Sequence, residues 1–264
     1  MSAQTTESNR MVETGSIEIR QITTDDLKEA LKSGLDDFWA RPSHIVFLMV
    51  FYPIIGFALS MLVFGYNLLP LLFPLMAGFG LIGPVAALGM YELSRRRERG
   101  EEPHLRDALA VLKSPSLGAL GLVTALLTVL LVGWLLAAYA IYVVTLGPDM
   151  PENFEVFISE VFTTRAGWTL IILGNGVGIA FSYVSSAISA FSLPMLLDGE
   201  RNALVAVTTS IRAVLKNIVP MTIWGMIVMG LLVLGTLPLF VGLILVFPIL
   251  GHATWHLYRR TIRR

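Results

Sequence analysis

Runs free of Asp, Glu, Lys and Arg occupy most of the chain, at about His44–Tyr66, Leu68–Tyr91, Leu117–Leu146, Gly167–Leu197, Ile218–Gly235 and Leu237–Tyr258. Each is close to or above the roughly 20 residues an α-helix needs to cross a hydrocarbon core of about 30 Å. Helices satisfy their own backbone groups in lipid, so the pattern predicts an all-α, polytopic membrane domain of six transmembrane helices. The last two runs are separated by Gly235-Thr236-Leu237-Pro238, a tight hairpin whose proline cannot continue the preceding helix. Pro74 and Pro84 are expected to bend the second helix.

Before runs one, three and five the pattern changes to the 3.6-residue period of an amphipathic helix. From Thr24 to Trp39, Leu27, Ala30, Leu31, Leu35 and Phe38 share one face, with Lys28, Lys32 and Asp36 opposite, and Thr23 with Asp26 resembles a capping box. Leu105, Ala108, Leu109 and Leu112 mark the second such segment, and Leu204, Val207, Ile211, Val214 and Leu215 the third. Ala110-Val111-Leu112-Lys113-Ser114 and Ala213-Val214-Leu215-Lys216-Asn217 are nearly the same string, and Pro42, Pro115 and Pro220 lie near the junctions. Two readings stand: three copies of a helix plus a two-span hairpin, or lead-ins that any oriented hairpin requires. Either way the three helices are expected in the headgroup plane. Between runs three and four, Phe154, Phe157, Ile158, Val161 and Phe162 recur at helical spacing after Pro151 and predict a helix resting on the opposite surface.

Charge gives this plan an orientation. Of the 19 Lys and Arg residues, only Arg165 falls outside the segments that six spans place on one side. Basic residues near helix ends stay cytoplasmic, so both termini are expected inside. Trp39, Tyr91, Trp255 and Tyr258 then fall at inner-interface depth, and Tyr66, Tyr139, Tyr142 and Trp168 at the outer. The hydrophobic fraction of 55% and mean hydropathy of +0.72 exclude an ordinary soluble domain. The first 43 residues are polar and lack a leader's apolar core and cleavage site; residues 1–22 are expected to be a disordered cytoplasmic tail, with 23–264 as one membrane domain. The absence of cysteine excludes disulfides, iron–sulfur ligation and thiol nucleophiles.

Candidate chemistry is sparse. Gly174, Gly178, Ser182, Ser185, Ser189 and Ser192 form one stripe of the fourth helix, with Asn175 and Tyr183 nearby. Small residues in such a stripe permit close helix approach, whereas hydroxyls beside an amide can also line a solute path. Gly78, Gly80, Gly83 and Gly89 suggest a complementary surface on helix two. His252 and His256 are four residues apart near the inner end of the sixth run, with His44 at the same depth and Glu92 and Asp198 as nearby acidic residues; without a cysteine or opposing histidine, no metal site is expected from them. Arg95, Arg96, Arg97 and Arg99 form the densest basic run, suited to enforcing topology and contacting anionic lipid. Zero net charge and the absence of a recognition fold argue against nucleic acid. Phosphate-loop, nucleophile-elbow and zinc-protease motifs are absent, so neither a catalytic residue nor a cofactor is expected.

Asp36-Asp37-Phe38-Trp39-Ala40-Arg41-Pro42, Phe73-Pro74-Leu75-Met76-Ala77-Gly78-Phe79 through Gly83-Pro84, Tyr91-Glu92-Leu93-Ser94-Arg95-Arg96 and Phe191-Ser192-Leu193-Pro194-Met195-Leu196-Leu197-Asp198 resemble a bacterial family of predicted integral membrane proteins catalogued as domain of unknown function 2189. The resemblance implies a multi-span protein of a Gram-negative membrane and carries no catalytic or binding residues. The sequence therefore leads to a non-enzymatic accessory, scaffold or assembly component of the bacterial inner membrane. Its expected partners are lipids and another membrane protein, a complex or a second copy. The alternative is a transporter or channel for a neutral or lipidic solute.

Overall fold

The computed structural model describes residues 17–40, 56, 69–149, 151–152, 154–238 and 241–263. The first expected span, His44 and Tyr66 within it, and residues 1–16 lie outside the described residues, apart from Gly56. The described elements are β1 (Glu18–Ile19), α1 (Thr24–Ala40), α2 (Leu72–Ala86), α3 (Leu88–Glu98), a 3₁₀ segment (Leu105–Lys113), α4 (Leu117–Leu146), α5 (Phe154–Thr163), α6 (Arg165–Ser189), α7 (Ser192–Leu197), α8 (Ala203–Lys216), α9 (Ile218–Thr236), α10 (Leu243–Thr261) and β2 (Ile262–Arg263). Among these residues, three stretches are long and apolar enough to cross a membrane: α4, α9 and the 165–197 stretch that contains α6 and α7.

Prolines lie near two breaks inside the expected spans. Pro84 has no N–H to offer the Gly80 carbonyl, and three residues further on helical geometry lapses at Ala87, between α2 and α3. Pro194 acts in the same way on the carbonyl four residues earlier, at Ala190. The chain turns at Ala190–Phe191, and the N–H of Phe191 is taken up by Ser210 Oγ of α8 at 3.2 Å. This break points Phe191, Leu193, Met195 and Leu196 into the protein, each fully buried.

The principal core therefore lies at the basic end of the helices, where α1, α7, α8 and the last turns of α10 meet. Helix α1 starts as its sequence predicts: Thr23 N donates to Asp26 Oδ2 at 2.8 Å, and Asp26 N donates back to Thr23 Oγ1 at 3.4 Å. Leu27, Ala30, Gly34 and Phe38 then form the stripe that packs on α10. At Gly34 the backbones approach so closely that a Cβ would lie 2.6 Å from Ala253 N. On another side of α10, a Cβ at Gly251 would meet Met90 Cβ of α3 at 2.9 Å. A second, smaller core is centred on Trp134, whose indole donates to Pro74 O at 2.8 Å and packs on Gly178 and Phe181.

Several expectations change. Residues 17–22, expected in a disordered tail, form a strap: Glu18 pairs with Arg263 and Ile19 with Ile262 in an antiparallel ladder. Asn217 fastens it, accepting from Ile22 N at 2.8 Å and donating to Arg20 O at 3.0 Å. Tyr91, Trp255 and Tyr258, expected among interfacial aromatics, are core residues, while Trp39 is 63% exposed. Hydropathy does not say which side of a helix they occupy. Helices α1 and α8 bury one face against protein, and the second lead-in is 3₁₀ rather than α. Their outer faces still present Leu35, Leu109, Leu112, Leu204 and Leu215.

Candidate functional site

The most concentrated polar chemistry is built around Asp37. Its spacing from Leu27, Ala30 and Gly34 carries it onto the face of α1 that meets α10, and it is 9% exposed. On α10, His252 and His256 are one turn apart and reach the same place; from α3, Ser94 and Arg97 complete it. Ser94 Oγ donates to Asp37 Oδ2 at 2.5 Å and accepts from His252 Nδ1 at 2.7 Å. His256 Nε2 donates to Asp37 Oδ2 at 2.8 Å, and Arg97 donates to Oδ1 at 2.7 Å. Both imidazole assignments follow from a carboxylate that can only accept and a hydroxyl with one proton.

Burial acts to raise the Asp37 pKa, but hydrogen bonds from His256 and Ser94, with the positive charge near them, leave it below the usual carboxylate range. The serine stands between the carboxylate and an imidazole and is 1% exposed. A nucleophile triad instead needs the imidazole between the other two groups and a hydroxyl that substrate can reach. The arrangement is suited to tying three helices together through one charge.

The surrounding carboxylates are similarly engaged. Glu98 accepts from Trp255 Nε1 at 3.1 Å and Arg259 Nε at 2.9 Å. Asp198 accepts from Tyr258 OH at 2.9 Å and from Arg259 at 3.1 Å. Glu92, 2% exposed, is gripped by both Arg95 and Arg96. Among the described residues, no group of three His, Cys, Asp or Glu side chains is placed to hold a metal ion.

The structure divides the glycine–serine stripe of α6. Toward the basic end, Ser185 Oγ donates to Leu81 O of α2 at 2.8 Å, and Ser189 and Ser192 are buried. Gly178 faces the Trp134 ring, where a Cβ would meet it at 3.1 Å. Ser182 is exposed. At Gly174, a Cβ would find open space among the described residues, and Asn175 Nδ2 donates to Ile171 O of its own helix at 2.8 Å. The Tyr183 hydroxyl is hydrogen-bonded to Thr222 of α9. Of the basic run, Arg95 and Arg96 go to Glu92, Arg97 goes to Asp37, and Arg99 is exposed.

Asp37 and Ser94 escaped the sequence reading. The signal was present: Asp37 recurs three residues after Gly34 on an otherwise apolar stripe, a position where a charge requires a partner. Which partner could not be read, because Ser94 and His252 lie 57 and 215 residues away along the chain.

Residues 71–198 match the model of a family described as a predicted integral membrane protein (DUF2189). Searches of the curated proteins and of the solved structures found no match.

Proposed function

We propose that this chain, similar to that family from residue 71 to residue 198, is a six-span, non-enzymatic accessory, scaffold or assembly component of the bacterial cytoplasmic membrane. Both termini are cytoplasmic in this reading, and the packed basic end lies on the cytoplasmic side. The one-sided distribution of Lys and Arg supports that orientation. The first span is assigned to residues 44–66, the second to α2 with the first turn of α3, and the sixth to α10.

The observation that carries the role is the outer half of α6. Gly174 and Gly176 have open space beside them among the described residues, and Ile172 and Ile179 are 68% and 56% exposed. A helix face combining small residues with apolar shoulders is suited to receiving another helix. In this reading that helix belongs to a partner. The two polar groups best placed to line a path, Asn175 and Tyr183, are turned to helix backbone and to Thr222, which favours packing over conduction.

The test is mass spectrometry of everything that co-purifies with the tagged chain from native membranes in mild detergent, against an unrelated six-span control, with Gly174→Leu alongside. A stoichiometric protein partner lost in Gly174→Leu supports the proposal. A retained small molecule with no protein partner contradicts it in favour of transport.

A further inference from the structure

Two helix ends open a cavity at the basic end. Gly100 and Gly199 take positive φ, 77° and 109°, and both close Schellman turns: Glu101 N donates to Arg96 O at 3.1 Å, and Glu200 N donates to Met195 O at 3.1 Å. The first turn sends the chain from α3 toward the 3₁₀ segment, and the second sends it from α7 to Arg201. Between α3, the 3₁₀ segment, the start of α4 and the turn after α7 lies a cavity of about 410 Å³.

Its lining is cationic with apolar walls. Arg95, Arg96, Lys113 and Arg201 face it against the single carboxylate of Glu92, leaving three positive charges uncancelled in the lining. Glu92 is already occupied by Arg95 and Arg96, and Arg96 also meets Asp107 at 3.2 Å. Among the described residues, Lys113 and Arg201 have no ion pair. Ser114 Oγ accepts from Ser116 N at 3.2 Å, so its proton remains available to an acceptor. Val111 and Leu196 supply apolar wall. Leu109 and Leu112, on the same 3₁₀ segment as Lys113, are 58% and 65% exposed.

We infer that this cavity is a binding site for a phosphate-bearing anion. A guanidinium pair held in place by a buried carboxylate offers the planar donors that phosphate oxygens accept, and two further cations beside it have no ion pair among the described residues. The phosphodiester of an anionic phospholipid supplies such an acceptor beside the apolar walls of Val111, Leu196 and Leu197; a soluble phosphate ester would use the same cations. The site differs from the contiguous 95–99 basic run, because Arg97 is committed to Asp37 and the completing charges come from Lys113 and Arg201. It is independent of the accessory role, since a transporter or a scaffold could equally hold such an anion.

The test uses the full chain, delipidated in a neutral detergent. Phosphatidylglycerol, phosphatidylcholine and glycerol phosphate are titrated separately and read by native mass spectrometry and thermal shift. Lys113→Gln/Arg201→Gln is the variant, and Arg99→Gln is the control for diffuse charge. Saturable binding of phosphatidylglycerol over phosphatidylcholine, about tenfold or more weaker in the double variant and unchanged in Arg99→Gln, supports the site with lipid as source. The same pattern with glycerol phosphate supports it with a soluble source. Equal binding by the double variant and the natural chain, an equal loss in Arg99→Gln, or no binding of either anion overturns it. Because both substituted side chains are exposed and make no ion pair among the described residues, an unchanged unfolding midpoint checks that the variant folds.

Discussion

Replacing Gly34 by alanine adds one methyl at the closest approach of α1 and α10. Its position is fixed by the backbone: 2.6 Å from Ala253 N, 2.7 Å from Ala253 Cβ and 2.8 Å from Ala253 Cα. Carbon contacts are ordinarily about 3.5–4.0 Å, so the helices must separate by about 1 Å. Two of the three opposing atoms are backbone, and no rotamer change relieves them. Overpacking of this kind costs about 1–3 kcal/mol, and the rigid neighbours place Gly34→Ala near the top of that range. The better helix propensity of alanine returns about 1 kcal/mol, leaving a net loss of about 2 kcal/mol. At about 2–4 °C per kcal/mol for a chain of this size, the unfolding midpoint in detergent should fall by about 4–8 °C. Intrinsic fluorescence is a suitable assay because Trp255 of α10 is fully buried and is exposed to solvent when the packed core opens. Gly225→Ala on α9, with open space around it among the described residues, is the control and should not lower the midpoint. Adding Ala253→Gly to Gly34→Ala should restore part of the loss, because one of the three contacts disappears. A midpoint for Gly34→Ala equal to or above that of the natural chain would refute the helix contact.

Other consequences follow from the Asp37 cluster, the strap and the charge distribution. The Asp37 pKa is depressed, so the stability it contributes is fully present above the ordinary carboxylate pKa, about 3.9, and is lost as pH falls through its lower folded value. Asp37→Asn should therefore lower the midpoint at pH 7 by an amount that shrinks below pH 4; a pH-independent loss contradicts the assignment. Asn217→Ala removes two hydrogen bonds to the strap and leaves Ile22 N–H buried, at a cost of about 1–3 kcal/mol, and should speed amide exchange across residues 17–22 while leaving α4 protected. Because the chain has no cysteine of its own, Arg99→Cys and Arg201→Cys should be labelled by impermeant maleimide only from the cytoplasmic side, and Glu155→Cys only from the other; labelling of all three from one side would contradict the proposed topology.

Hydropathy was enough to locate α4, α9 and the 165–197 stretch, because lipid imposes length and apolarity on any spanning helix. The Thr23–Asp26 cap was equally legible, being local in sequence. What stayed hidden was rotational and long-range. Whether Tyr91, Trp255 and Tyr258 face outward or into the core is decided by the packing of α10 between α1 and α3, which buries them. The break before α7 was signalled by Pro194, but its direction depends on Ser210 of α8 accepting the freed Phe191 N–H. Asp37 was visible as a charge on an apolar stripe, yet its partners are assembled by contacts between distant segments. The cavity was hardest to foresee, since Lys113 and Arg201 become neighbours of Arg95 only after two glycine turns reverse the chain.

The start and end of the described chain close together over the basic end, fixing α1 on α10. Glu18 and Arg263 are directly opposed in the β1–β2 ladder, and the natural chain has no cysteine to interfere. Opposed residues in an antiparallel pair have Cα atoms about 4.5–5.5 Å apart, within the range a disulfide spans. The decisive measurement is intramolecular disulfide formation by Glu18→Cys/Arg263→Cys in native membranes under mild oxidant, read by mass spectrometry of the linked peptides. Near-complete linkage is expected, with Glu18→Cys/Glu155→Cys unlinked under the same conditions. Failure of the 18–263 pair to link in a folded chain would contradict that closure.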